Sequence, residues 1–225
     1  MKLSNETQTV LKNFAGINSN IVINTGSDLR TISEAKNILA KASVSESFDT
    51  SFGIYDLNEF LGVIGMFDDP DLSVADDALS IKISQGRRAV KYFFSASDIL
   101  TSPSKDVKLP SAEVTFTLTQ EEMSQLRKAA GALGVTDVVV TKINGGLTLM
   151  VTDTKDSTSN TFSVDIEGAN VCDDDFKFIF NIGNFKFVGG DYEVTISKSL
   201  ISHFKNLNVP VEYWVALEKN SKFGE

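Results

Sequence analysis

The run TQEEMSQLRKAAGALGVTDVVVTKINGGLTLMVT, residues 119–152, changes its hydrophobic period halfway along. In the first part Met123, Leu126, Ala130 and Leu133 recur at helical spacing. Thr119, with Glu122 three residues on, forms a capping box that starts the helix. Lys128 falls on the opposite side and Arg127 flanks the apolar stripe. The second part reads as strands, Val138–Ile143 and Leu147–Thr152, joined by Asn144-Gly145-Gly146, a step suited to positive φ. The run therefore predicts helix, strand, tight turn, strand.

Upstream, the chain makes the same sequence of moves. Ser4 is a candidate N-cap for a helix whose Leu3, Thr7, Val10, Leu11 and Phe14 form one stripe, ended by Gly16. Its polar side carries Asn5, Gln8, Thr9 and Lys12, with Lys2 nearby. Strand-like residues 21–24 follow. Residues 29–50 fit either strands or a short helix opening at Ser33-Glu34-Ala35-Lys36, and strands are the reading adopted. Residues 51–54 are extended, and Asp56 caps a second helix that aligns Leu57, Phe60, Leu61, Ile64 and Phe67. Two strands, 79–84 and 89–95, meet through Gln85-Gly86-Arg87-Arg88 as a hairpin. Residues 97–111, with Pro103 and Pro110, are too polar for a core element and read as a connector.

Beyond residue 152 come strands at 161–166 and 176–180, and a short helical segment from Asn181 carrying Ile182, Phe185 and Lys186. A turn at Gly189-Gly190-Asp191 then leads into strands at 192–197 and 212–218. Tyr55-Asp56-Leu57-Asn58-Glu59-Phe60 echoes Phe180-Asn181-Ile182-Gly183-Asn184-Phe185. Each half thus reads helix, strands, short helix, hairpin: an α+β fold built by duplication, with domains expected at 1–108 and 109–225.

Composition excludes several classes. The 225 residues are 42% hydrophobic and 23% charged, ordinary for a globular chain and unlike disordered or membrane sequences. No apolar run approaches bilayer length, and Met1-Lys2-Leu3-Ser4-Asn5-Glu6 lacks a signal-peptide pattern, so a cytosolic protein without a membrane partner is expected. One cysteine, Cys172, and one histidine, His203, cannot build a Cys/His zinc site. No Walker pattern occurs, and Gly145-Gly146 and Gly189-Gly190 read as hairpin turns. The clusters Asp68-Asp69-Pro70-Asp71 and Asp173-Asp174-Asp175 lack EF-hand spacing and read as solvated turns. His203 reads as a surface residue of a polar connection, and Cys172 as a half-buried spacer. No cofactor, metal or catalytic residue is expected, and the chain reads as a non-enzyme.

Thirty acidic residues against twenty-one basic ones give a net charge of −9, so any contact with nucleic acid must be local. The cations available for it are Lys2, Lys12, Arg127, Lys128 and Lys186 on helical faces, and Arg87, Arg88 and Lys91 about the first hairpin. Each is also what an ordinary solvated face would carry.

Several blocks resemble the sliding clamps of T-even type bacteriophages, the DNA polymerase processivity factors. These are Met1-Lys2-Leu3-Ser4, Leu11-Lys12-Asn13-Phe14-Ala15, Ile17-Asn18-Ser19, Ile54-Tyr55-Asp56-Leu57-Asn58, Phe60-Leu61-Gly62, Phe178-Ile179-Phe180-Asn181 and Val215-Ala216-Leu217-Glu218. The resemblance implies the processivity-clamp fold: two similar domains per chain, two helices in each, and three chains closed into a ring with helices inside and sheets outside. It implies duplex DNA, bound without regard to sequence, a DNA polymerase, a clamp-loader ATPase and late transcription factors as partners, in the cytoplasm of an infected bacterial host. It also implies an apolar pocket for a polymerase tail. Its candidate walls are Ile99, Leu100, Val107 and Leu109 near the connector, and Tyr213, Trp214 and Val215 in the last strand; each is equally a candidate for core. A non-enzymatic, β-rich viral structural or interaction protein is the alternative reading, since acidity, duplication and hairpins suit it too.

Overall fold

The computed structural model describes residues 1–224, which divide into two compact units, 1–106 and 107–224. In the first, helix α1 (Asn5–Ala15) precedes strands β1 (Ile21–Ile23), β2 (Gly26–Ile32), β3 (Ile38–Phe48) and β4 (Phe52–Ile54). Helix α2 (Leu57–Ile64) and strands β5 (Asp71–Val74), β6 (Ser80–Gln85) and β7 (Arg88–Phe93) complete it. In the second, β8 (Val114–Leu118), α3 (Gln120–Leu133), β9 (Asp137–Ile143), β10 (Gly146–Thr152) and β11 (Phe162–Ile166) come first. They are followed by β12 (Asn170–Val171), β13 (Phe176–Asn181), β14 (Tyr192–Ser197), β15 (Ile201–Asn206), β16 (Val211–Ala216) and β17 (Lys222–Phe223).

Strand pairing shows the duplication more sharply than sequence does. In the first unit β1 pairs with β4, β2 with β3, and β6 lies between β5 and β7, all antiparallel. In the second β9 pairs with β13, β10 with β11, and β15 lies between β14 and β16. Even the pairing of β8 with β14 has a counterpart, because Met1 and Leu72 exchange backbone hydrogen bonds of 2.7 Å beside β5. The two units are similar domains.

The helix starts follow local chemistry. Ser4 Oγ accepts from the Thr7 N–H, Asp56 caps Asn58 and Glu59, and Thr119 and Glu122 close a reciprocal capping box. Thr7, Val10, Leu11 and Phe14 of α1 are buried, as are Leu57, Phe60, Leu61 and Ile64 of α2. Strands at 26–32 and 38–48, joined by a turn and not a helix, occupy this stretch, and the Asn144-Gly145 turn takes φ of 52° and 83°, the mirror-image geometry that suits a two-residue hairpin.

A carboxylate of β3 also holds α1 in place. Glu46 accepts from the Ser4 N–H and from the Thr7 hydroxyl. Burial opposes its ionisation, but those hydrogen bonds prevail and hold its pKa below 4.5. Glu46→Ala is expected to cost about 1.5–3 kcal/mol at neutral pH. A carboxylate with a lowered folded-state pKa stabilises above its unfolded value and loses that contribution as pH falls through the folded one. The difference in melting temperature between wild type and variant should therefore be full at pH 7 and shrink on acidification below pH 4.5.

The structure corrects several expectations. The second domain has no counterpart of α2: only a 3-10 turn, Ile182–Asn184, stands there. Its central residues, Gly183 and Asn184, are weak helix formers, and Phe185 and Phe187 are drawn into an aromatic cluster with Phe204 at ring separations of 5.4 and 4.7 Å. Leu133 is 37% exposed and lies off the buried stripe of α3. Residues 114–118 form a strand, and Asp71 opens one. His203 sits in β15, half-buried, with Nε2 2.7 Å from Glu212 Oε2 and its ring stacked on Trp214 at 4.7 Å. The strand read over 212–218 is β16, which ends at Ala216, and β17 follows it. Gly189-Gly190 is no hairpin turn; it links the 3-10 turn to β14.

Candidate nucleic-acid interface

Aligned by their caps, α1 and α3 share one buried position. Leu11 and Leu126 each stand seven residues after the cap and are wholly buried. The next residues are Lys12 in one helix and Arg127-Lys128 in the other, so each domain turns a cation outward at the same helical turn. Lys12 and Lys128 are exposed. Acidic Glu6, Glu121 and Glu122 lie in the first turns, and Glu122 is occupied by its capping box. Part of this polarity is the usual complement to a helix dipole. The recurrence of the cation after the buried leucine in both domains goes beyond that.

The other candidates divide. Lys2 is exposed and paired with Asp69, whose hydrogen bond raises the Lys2 pKa. Arg127 donates to the Phe185 carbonyl, and burial lowers its pKa, so it ties α3 to the loop after the 3-10 turn while staying charged. Lys186 is exposed beside that loop, its N–H donating to Asn184 O at 2.9 Å. Strand parity separates the hairpin cations. Tyr92 meets Phe60 of α2 at 5.2 Å, and Arg88, four residues back, lies 5.6 Å over Phe67, so both face the helix side of the sheet. Lys91 is on the opposite face, over Phe93 at 4.8 Å and across from Lys82. Arg87 is exposed at the tip of the turn. α2 itself carries no cation.

Of the expected pocket walls, Tyr213 and Val215 are fully buried and Leu100 is 8% exposed. Leu100 lies against Gly53, where a side chain would come within 2.6 Å of its Cδ1. These three are core. Trp214 faces the other side of β16 with His203, Val107 and Leu109 are half-buried, and Ile99 is 66% exposed.

A feature the sequence did not announce lies beside α3: an open groove of about 270 Å³. Met123, Phe187 and Tyr192 contribute apolar surface, while Ser124, Arg127, Lys128 and the Gly189-Gly190 backbone supply polar groups. The Val188 backbone is held at both its polar groups. Tyr192 Oη donates to its carbonyl at 2.5 Å, and its N–H donates to Tyr213 Oη at 3.0 Å. Burial pushes the Tyr192 pKa up to about 12 and that of Tyr213 higher still, so both phenols stay neutral.

Comparison with known proteins places this geometry. A family profile described as the gp45 sliding clamp, C terminal, matches residues 115–219, and one described as DNA polymerase processivity factor matches residues 4–98. The sliding clamp of Vibrio phage KVP40 is 34% identical over 223 residues, covering 97% of this chain and 99% of that one. The sliding clamp of Enterobacteria phage T4 is 31% identical over 98% of both chains. Among solved structures, A. fulgidus PCNA with the C-terminal region of FEN-1 bound superposes with a TM-score of 0.70 at 15% identity, over 96% of each chain. An H. pylori beta clamp gives 0.69 at 16% identity, over 98% of this chain and 64% of that one. With near-complete coverage by two phage relatives above 30% identity, and with duplicated domains of the PCNA and beta-clamp fold, the clamp reading prevails over a structural one: the chain belongs to the sliding-clamp family of DNA polymerase processivity factors.

Proposed function

We propose that three copies close head to tail into a ring around duplex DNA, with Lys12 and Lys128 facing the phosphates, and that the ring acts without catalysis. The observation carrying this is an exposed lysine in the turn after the buried leucine of each helix, Lys12 directly after Leu11 in α1 and Lys128 two residues after Leu126 in α3. Phosphate contacts position a protein without reading bases, so a few inward cations on an otherwise acidic chain suit motion along any sequence. Lys186, Arg127 and Lys2 are secondary contributors, because Arg127 and Lys2 already hold partners. Arg88 lies on the helix side of its sheet and Lys91 on the other, so the hairpin cluster does not act as one DNA-binding unit.

Ring closure is assigned to β7 and β11, edge strands of their sheets whose outer edges offer backbone groups to another chain. The other edge of the β5–β7 sheet is capped by Met1. Charges on the two edges are complementary: Arg88 and Lys91 on β7, and exposed Asp165 with the adjacent Glu167 on β11. The chain has no Walker sequence, so opening falls to a clamp-loader ATPase. A polymerase tail and late transcription factors are further partners, with Ile99, Val107, Leu109 and Trp214 the accessible apolar candidates for tail docking. The place of action is the cytoplasm of the infected host, and the domain boundary is set at 108/109.

Topology gives the test. After loading, the protein should remain on closed circular DNA far longer than on linear DNA of the same sequence, from which it slides off the ends. Equal dissociation from the two would refute encirclement.

A further inference from the structure

The groove beside α3 exists because the second domain lacks the helix that packs beside α1 in the first. Where α2 would stand, the chain makes a 3-10 turn and then runs as an open loop through Phe187, Val188, Gly189 and Gly190. That loop is built, not slack. Arg127 holds the Phe185 carbonyl, and the two tyrosines hold the N–H and the carbonyl of Val188. Gly190 takes φ +133°, and a Cβ there would come within 2.8 Å of Asn206 Nδ2 and Asn208 Oδ1. The backbone at this point accepts no larger residue.

The chemistry of the groove is one-sided. Although acidic residues outnumber basic ones by 30 to 21 in the chain, no carboxylate among the described residues lines it, Glu121 lying in the adjoining hollow. Asp191, next along the loop, is engaged at the start of α3, where it accepts from the Gln120 N–H at 2.8 Å. Lys128 and Arg127 bring positive charge, Ser124 a hydroxyl, and Gly189 and Gly190 two successive backbone amides, with the Gln120 side chain beside Gly189. Successive amides beside a cation suit an anion. The apolar surface of Met123 and Phe187 suits a sugar better than a second charge.

We propose that this groove seats one phosphodiester of duplex DNA, with Lys128 as counter-charge, Gly189 and Gly190 as amide donors, and a deoxyribose against the apolar wall. The seat rests on the reading of α3 as a DNA-facing helix and deepens it. It makes the two domains unequal partners of the duplex: the first offers Lys12 on a plain helical surface, the second a shaped notch. None of its contacts reaches a base edge, so it tolerates any sequence.

The test is to titrate the full-length, isotope-labelled protein at low salt with a short blunt duplex and follow its amide resonances. Wild type, Lys128→Ala and Lys12→Ala would be compared, with a separate titration by inorganic phosphate at matched phosphate concentration. Expected are saturable shifts of Gly189 and Gly190 with duplex in wild type and Lys12→Ala, their loss in Lys128→Ala, and much weaker shifts with inorganic phosphate. The Lys128→Ala change should also lower the slope of log affinity against log salt by about one per copy. Shifts around Lys12 with Gly189 and Gly190 unmoved would overturn the seat and leave the ring reading standing. Shifts of the two glycines that persist undiminished in Lys128→Ala, or that inorganic phosphate reproduces in full, would also overturn it. No shift on either helix would overturn the DNA-facing reading itself.

Discussion

Reversing Lys12 and Lys128 to Glu together is expected to abolish processive synthesis while leaving the protein folded and assembled. Each exposed lysine that neutralises a phosphate contributes about 0.9 to the salt slope of binding. With two such lysines per copy in the proposed three-copy ring, about 5 is lost from that slope, and reversal adds repulsion where attraction stood. The cost to folding is small by comparison. Lys12 lies in the last turn of α1, where a cation is worth about 0.3–1 kcal/mol against the helix dipole. A domain's total stability is about 5–15 kcal/mol, so the fold survives. Primer extension on a circular template, with competitor DNA to trap released polymerase, reads product length. Native mass and circular dichroism read assembly and folding. Lys12→Arg with Lys128→Arg should restore long products, since charge and not shape is what the phosphates need. Full-length products from the double Glu variant would remove Lys12 and Lys128 from the DNA path.

The readable parts of the fold were those where one local signal sufficed. Ser4, Asp56 and Thr119 each announced a helix start by side-chain chemistry that acts within three residues, and Asn144-Gly145 announced its turn by backbone preference. The misread parts depended on partners distant in sequence. Ser202-His203-Phe204-Lys205 looked like a polar connection because Ser202 is polar, yet it is fully buried in β15 and its hydroxyl donates to Val215 O at 2.9 Å. The apolar-polar alternation of a strand was hidden by one satisfied hydroxyl. Asn181-Ile182-Gly183-Asn184 resembled the start of α2 but lacked the helix formers needed to extend it, and the pull of Phe185 and Phe187 into the ring cluster decided its end. The site was legible to the same degree. Lys12 and Lys128 could be placed by helical periodicity alone, whereas the commitment of Arg127 to Phe185 O, and the groove that loop creates, follow from a contact across 58 residues.

Strand parity yields the sharpest test of assembly. Gln85 and Arg88 flank the two-residue turn between β6 and β7 and form its closing hydrogen-bonded pair. Hydrogen-bonded and non-hydrogen-bonded pairs then alternate along the ladder, which makes Val90 with Ile83 a bonded pair and Lys91 with Lys82 a non-bonded one. The Lys91 N–H therefore points away from β6, toward whatever pairs with the free edge. Proline at an edge position removes that outward donor and leaves the inner ladder intact, while one residue earlier it removes an inner donor. Lys91→Pro is expected to convert the proposed three-copy assembly to single chains by native mass spectrometry, with a cooperative thermal transition retained. Val90→Pro should lower the melting temperature of the chain itself, because it removes a ladder hydrogen bond and leaves the Ile83 carbonyl without its donor, a cost of about 1–3 kcal/mol. If β7 were not the ring boundary, Lys91→Pro would leave the assembled mass unchanged. Because Asp165 opposes Lys91 in the proposed pairing, wild-type assembly should also weaken as salt is raised, and Lys91→Glu should be rescued in part by Asp165→Lys on the facing edge. Reciprocal rescue of that kind requires the two edges to meet, which a loss of general stability cannot imitate.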